Sequence, residues 1–330
     1  MIKVENLTKE FKVHTKKPGF KGSVSSLFNR EYTTKEALKN FNLEIESGEI
    51  IGLIGSNGAG KTTLTKILSG IIHPTKGKVS VLGFNPWKKD NEYRKQMALI
   101  MGQKAQLWWD LPALDGFLLL KEIYQIPTKD FYDRIEFLAN YLNVKEQLNI
   151  QIRRLSLGER MKVELMAALI HQPKVIFLDE PTIGLDLTAQ KAVRRFIKEY
   201  RKEYKPTMIL TSHYMDDIEE LCPRIAIMKQ GQMVYDGQIS QLHDKYASNK
   251  VIELNIEGED QQNILLNTFP EELGKIQKDG KLIQIVTPRD LVMESSKFAL
   301  NCVQISDFSI KEQEIANIIE KIQNSGRLSD

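Results

Sequence analysis

Nine consecutive residues, Gly55-Ser56-Asn57-Gly58-Ala59-Gly60-Lys61-Thr62-Thr63, carry glycines, a lysine and hydroxyls in the spacing G-x-x-x-x-G-K-[ST]. Glycines lack a Cβ, so the backbone can curl until successive N–H groups converge on one anion, and a helix starting here adds its positive end. The chemistry expected is phosphate binding, with Lys61 as a point charge and Thr62 as a hydroxyl ligand for Mg²⁺. A second set of polar groups follows the apolar run Val175 to Leu178, where Asp179 and Glu180 are adjacent. Beside a phosphate loop, Asp179 suits the metal shell and Glu180 suits the water that attacks a terminal phosphate. A plain turn of glycines and a solvated acidic loop are the competing readings.

These groups need a scaffold that brings distant segments together. The run Ile50 to Ile54 precedes the glycine loop and a helix-like stretch from Leu64 follows it, giving the order strand, loop, helix. Residues 2 to 5 and 41 to 46 alternate apolar and polar and read as half-buried antiparallel strands. Further strands are expected at Lys78 to Gly83, Met97 to Met101, Lys174 to Asp179, Thr207 to Thr211 and Ile225 to Met228. Helices are expected at Ala113 to Tyr124, Tyr132 to Leu142, Gly158 to His171, Ala189 to Tyr204 and Met215 to Leu221. Buried strands alternating with helices imply an α/β fold with a mostly parallel sheet covered on both faces.

A length of 330 residues points to two domains, with the first at 1–240, a helical subdomain within it near 103–172, and a linker at 241–250. Residues 251–330 read as a small α+β module, with strands at Val251 to Ile256 and Leu282 to Thr287. Its helices are expected near Gln261 to Phe269, Pro288 to Leu300 and Lys311 to Ile322. With 42% hydrophobic and 27% charged residues the chain is ordinary core-forming material, and a net charge of +3 gives no nucleic-acid signature. No apolar run reaches the roughly 18 to 20 residues of a spanning helix, and the first residues do not resemble a signal segment, so the expected compartment is the cytoplasm. Cys222 and Cys302 are read as functionally silent thiols. The stretch from His14 to Glu36 is basic and loop-like; it is either a solvated insertion or a contact surface for a partner or anionic lipid.

Taken together the motifs resemble, over about residues 1–240, the nucleotide-binding subunit of an ATP-binding cassette transporter, and they stand in that family's order. The fold so implied is a P-loop NTPase with an antiparallel β subdomain and a helical subdomain. Phe11 lies where the family's adenine-stacking aromatic is expected, and Gln103 where its Mg²⁺-reaching glutamine is expected. Leu155-Ser156-Leu157-Gly158-Glu159 is similar to the signature loop, Gly184-Leu185-Asp186 to the D-loop, and His213 to the switch histidine. The resemblance implies ATP and Mg²⁺ as ligands, hydrolysis through Glu180, His213 and Gln103, and two subunits closing head to tail. Each phosphate loop would then face the Ser156, Gly158 and Asp186 of the other copy.

The signature loop departs from the family's Leu-Ser-Gly-Gly-Gln at Leu157 and Glu159. A Cβ at 157 restricts backbone approach to a phosphate, and a carboxylate at 159 adds repulsion there while suiting a helix N-terminus. An ATPase without a spanning helix must pass its motion to integral membrane permease subunits, which places it peripherally on the cytoplasmic face of the membrane. Leu107-Trp108-Trp109 and Leu111 to Leu118 read either as core or as the surface that grips such a subunit. The tail resembles the accessory domain of the drug and polysaccharide exporter branch. Two rival readings are a cassette ATPase acting on nucleic acid or ribosomes and a non-hydrolysing regulatory module; the first lacks paired cassettes, coiled-coil arms and zinc insertions.

Overall fold

Unbroken apolar runs build the centre of the fold and alternating ones build its flank. The structure is a computed structural model and describes residues 1–14, 32–102, 104–246, 249–280, 282–313, 315, 317–319 and 322. Two compact units divide it, Met1–Asp236 and Gly237–Asp330.

In the first unit, β1 (Ile2–His14), β2 (Tyr32–Ile45) and β4 (Lys76–Val81) form an antiparallel sheet in the order β2-β1-β4. Ile2 pairs with Ile45 and Phe11 with Lys35. Both long strands run well beyond the alternating residues that signal them, so the ends of the basic stretch are strand; its residues 15–31 lie outside the described residues.

The second sheet holds β3 (Ile50–Gly55), β5 (Met97–Met101), β6 (Val175–Asp179), β7 (Thr207–Thr211), β8 (Arg224–Lys229) and β9 (Gln232–Gln238), in the order β5-β6-β7-β3-β8-β9. The four pairings from β5 to β8 are parallel. Strands β6 and β7 are buried at every residue, as a sheet covered on both faces requires. Parallel pairing also brings all their carboxyl ends to one edge. Met101 is level with Asp179, Asp179 with Thr211, and Thr211 with Leu53, so loops from four strands leave the sheet together.

Helices α1 (Lys61–Leu68) and α2 (Asn91–Lys95) follow the glycine loop. The helical region between β5 and β6 holds α3 (Ala113–Tyr124), α4 (Thr128–Leu142) and α5 (Leu157–Leu169). Pro127 opens α4, and Asn143 in the left-handed region closes it. Then α6 (Leu187–Tyr204) connects β6 to β7, and α7 (Met215–Leu221) connects β7 to β8. This is the expected mostly parallel α/β sheet with its antiparallel and helical subdomains.

In the second unit, α8 (Ile239–Tyr246) occupies most of the segment read as a linker, because Ile239, Leu242 and Tyr246 recur at helical spacing. Strands β10 (Asn249–Asn255), β11 (Lys275–Asp279), β12 (Leu282–Pro288) and β13 (Asp307–Glu312) pair antiparallel in the order β11-β12-β10-β13. With α9 (Glu259–Thr268) and α10 (Val292–Cys302), the chain order is β-α-β-β-α-β. Ile252, Leu254, Ile283 and Ile285 meet Leu265 and Ala299 in its core. The start of the helix expected at Lys311 is instead the end of β13, whose Phe308 and Ile310 stand level with Leu254 and Ile252. A period of two over six residues is easily read as the start of a helix.

Candidate functional site

The edge where β3, β6 and β7 end carries the chemistry. From β3 the chain turns through Gly55 to Gly60 into α1, whose N-terminus has no side-chain cap and no acid in its first turn. The first N–H groups of that helix therefore present a positive end with no competing carboxylate on the helix itself. Gly60 has φ 109°, and a Cβ there would lie 2.5 Å from the Ala37 carbonyl oxygen, so only glycine allows this approach.

Lys61 is nearly buried. Its Nζ donates to the carbonyl oxygens of Gly55 at 2.6 Å and Ser56 at 3.3 Å. Burial lowers its pKa, while the charges of Glu180 and Asp179 work to raise it. Thr62 Oγ1 donates to Asp179 Oδ1 at 3.3 Å, and Thr211 Oγ1 donates to the same oxygen at 2.7 Å. The Glu180 N–H donates to the carbonyl oxygen of Thr211 at 3.0 Å and to its Oγ1 at 3.1 Å. Thr211 thus fixes both acids. Glu180 itself has φ 56°, left-handed for a residue with a side chain, and its Oε1 lies 2.9 Å from His213 Nε2.

Asp179 and Thr62 offer hard oxygen donors, and among the described residues no group of three or more His, Cys, Asp or Glu could hold a metal ion. Mg²⁺ characteristically takes one or two protein oxygens and fills its shell with water and phosphate oxygens, so this donor set fits it. Gln103 lies outside the described residues. Its neighbour Gly102 donates its N–H to the Asp179 carbonyl at 2.9 Å, and a Cβ there would stand 2.0 Å from the Glu180 carbonyl oxygen.

A cleft of about 650 Å³ opens over the loop, lined by Phe11, Lys12, Lys35, the residues Asn57, Gly58, Ala59, Gly60, Lys61, Thr62 and Thr63, and Glu180. The Lys9 ammonium sits 4.8 Å from the Phe11 ring centroid, which leaves the other face for stacking. The β1–β2 pairing is what brings Phe11 over the loop.

Ser156, Gly158 and Asp186 are not in this cleft; they form a second cluster. Ser156 caps α5: its Oγ accepts from the Glu159 N–H at 3.3 Å, and Glu159 Oε2 accepts from the Ser156 N–H at 2.9 Å. The Ser156 hydroxyl and N–H, with the Gln147 amide, hold the Glu159 carboxyl below the usual carboxylate range. Its charge is turned into the cap, as suits a helix N-terminus. Asp186 caps α6 through Ala189 N–H at 2.8 Å, and Gly184 and Ala189 lie directly against Leu157 and Gly158.

Sequence reasoning does not single out Thr211, Lys35 or Gly102. A hydroxyl ending a buried strand two residues before His213 was the available signal for Thr211. Nothing local marks the other two.

The ABC transporter family model matches residues 38–183. The ABC transporter ATP-binding protein NatA of Bacillus subtilis is 30% identical over 224 residues, covering 68% of this chain and 91% of NatA. The bacitracin transport ATP-binding protein BcrA of Bacillus licheniformis is 26% identical over 299 residues, 90% of this chain and 95% of BcrA. A dimeric ATP-binding cassette solved in a post-hydrolysis state with ADP and Pi shares the fold, with a TM-score of 0.60 at 24% identity over 72% of this chain and 99% of that one. At 30% identity over 91% of NatA, the chain belongs to the ABC transporter family, as one of its ATP-binding, ATP-hydrolysing subunits.

Proposed function

We propose that this chain is the motor of an exporter, hydrolysing ATP between two copies and driving separate membrane subunits from the cytoplasmic face. The observation that carries the hydrolytic part is the 2.9 Å contact between Glu180 and His213 at the rim of the phosphate cleft. Phe11 stacks the base, and the loop from Gly55 to Thr63 takes the phosphates. Lys61 exchanges its carbonyl partners for phosphate oxygens. Thr62, Asp179 and Gln103 would hold Mg²⁺, which would neutralise charge on the phosphates. Glu180 accepts a proton from the attacking water, and His213 orients Glu180 and contacts the terminal phosphate. Ser156, Gly158 and Asp186, which stand apart from the cleft of their own chain, complete the site of the second copy. The family membership favours this reading over a nucleic-acid ATPase or a non-hydrolysing module.

Replacing Glu180 with Gln is the direct test. Turnover should fall at least about 100-fold, while ATP stays bound and the dimer persists in its presence. A Glu180→Gln protein that releases phosphate at the wild-type rate would reject the assignment.

A membrane subunit needs a docking site, and the helical region offers one. No helix among the described residues is long and apolar enough to cross a membrane. Leu107, Trp108, Leu120, Tyr124 and His171 line a groove of about 160 Å³. Trp108 and Trp109 are 46% and 51% exposed, and Ile123 is 61% exposed, which supports contact over core packing. Trp108→Ala should reduce co-purification with the membrane subunit several-fold and leave ATP affinity unchanged; an intact assembly would reject this surface. The second unit supports the exporter branch, since the likeness to the bacitracin transport protein runs over most of this chain.

A further inference from the structure

Asp217 has no exposed surface, lies outside the nucleotide cleft, and stands at the crossing point of three segments. Its Oδ1 accepts from Arg194 Nη1 of α6 at 2.9 Å. Its Oδ2 accepts two hydroxyls, one from Thr182 and one from Ser212 at 2.6 Å. Thr182 comes two residues after Glu180, and Ser212 comes immediately before His213. Ser212 Oγ in turn accepts from the Tyr214 N–H at 3.0 Å, so the residues on both sides of His213 are tied to the same carboxylate. Arg194 is itself 2% exposed and has its Nε 3.0 Å from Glu220 Oε1.

We propose that Asp217 is a positioning residue for hydrolysis: one buried carboxylate oxygen sets the distance between the loop carrying Glu180 and the loop carrying His213. The chemistry requires an ionised acid. Two hydroxyl donors share Oδ2, and a guanidinium donor occupies Oδ1, so every contact is made by an acceptor. An asparagine in its place loses the charge opposite Arg194, and its amide NH₂ meets the two hydroxyls only if both turn round to accept. Thr211 at the end of β7 already ties the Asp179 side chain and the Glu180 N–H to that strand, and Asp217 adds a second tie further along both loops, from Thr182 to Ser212. A misplacement of about 1 Å between reacting groups is enough to cost roughly 100-fold in rate. The Asp217 link is therefore felt in the chemical step and not in nucleotide binding, since Lys61, Thr62 and Phe11 do not depend on it.

This inference rests on the assignment of Glu180 and His213 to hydrolysis, and the experiment separates the two. Full-length Thr182→Val and Ser212→Ala each remove one hydroxyl and keep the buried ion pair. For each, steady-state turnover, MgATP dissociation constant and thermal unfolding are measured beside Glu180→Gln, Asp217→Asn and Thr182→Ser. Expected is a fall in kcat of about 10- to 100-fold with the dissociation constant within about threefold, and recovery of turnover in Thr182→Ser. Folded Thr182→Val and Ser212→Ala proteins that turn over within about twofold of wild type would overturn the proposal. Failure of both to fold would overturn it too, since the cluster would then be purely structural. If Glu180→Gln keeps its turnover, the hydrolytic assignment falls instead. Asp217→Asn adds the charge: it should be at least as slow as the worse hydroxyl variant.

Discussion

Thr211 and Asp217 hold neighbouring groups in place, whereas the roles proposed for Glu180 and His213 are chemical, and the difference decides what a sequence can reveal. The glycine loop and the adjacent acids are legible from residue type and spacing, and the histidine only through the family resemblance. A threonine ending a buried strand and an aspartate in a short helix carry no such label, because their roles arise from contacts 30 or so residues away. Glu164 shows the same limit. Glutamates are mostly exposed, yet this one is 5% exposed and accepts the backbone N–H groups of Gln106 and Leu107, at 3.0 and 3.2 Å. Burial raises its pKa, and those two N–H groups work against the rise. Leu157 departs from the family's signature loop and is 40% exposed beside Gly184 at the start of α5. Leu157→Gly should raise turnover severalfold by removing the side chain that holds the second copy off; unchanged turnover and ATP affinity would dismiss that role.

At the scale of elements, the helices of the first unit were legible to within a few residues from their apolar spacing, and Ala113–Tyr124 and Met215–Leu221 match their expected limits although neither has a side-chain N-cap. Edge and polar strands were not, since β11 has a single apolar residue, Ile276, and β9 is mostly partly exposed. The junction of α5 with the sheet makes a pH prediction. His171 stacks on Tyr124 with centroids 3.9 Å apart, and its Nε2 donates to the Met97 carbonyl at 3.1 Å. Burial pushes its pKa from 6.5 down to about 4. The unfolded chain then takes up the proton first as pH falls, so stability is full above pH 6.5 and drains away toward pH 4. Going from pH 7 to pH 5 should cost about 2 kcal/mol at this group. Urea unfolding at the two pH values checks it, with His171→Phe giving the flatter dependence; equal slopes for both proteins would refute it.

At the scale of the whole molecule, the two clusters of site residues are the informative feature. The cleft at the sheet edge gathers phosphate, metal and water-activating groups, while Ser156, Gly158 and Asp186 are engaged in capping and packing elsewhere on the same chain. A second copy accounts for both. In the Glu180→Gln background, Ser156→Ala should abolish the ATP-dependent dimer while the monomer still binds ATP. Light scattering with and without ATP decides it, and a persisting dimer would remove Ser156 from the interface. The second unit could be read as α+β but not as β-α-β-β-α-β, because its outer strands show no apolar run. The backbone of Glu180 is left-handed. A residue with a side chain costs roughly 1 kcal/mol in that region relative to glycine. Selection for a sturdier chain would drift toward glycine or asparagine there, and selection for turnover would hold the acid. Durability and catalytic output are opposed at this one position, and a thermostabilised descendant of this protein would need its gains from other sites.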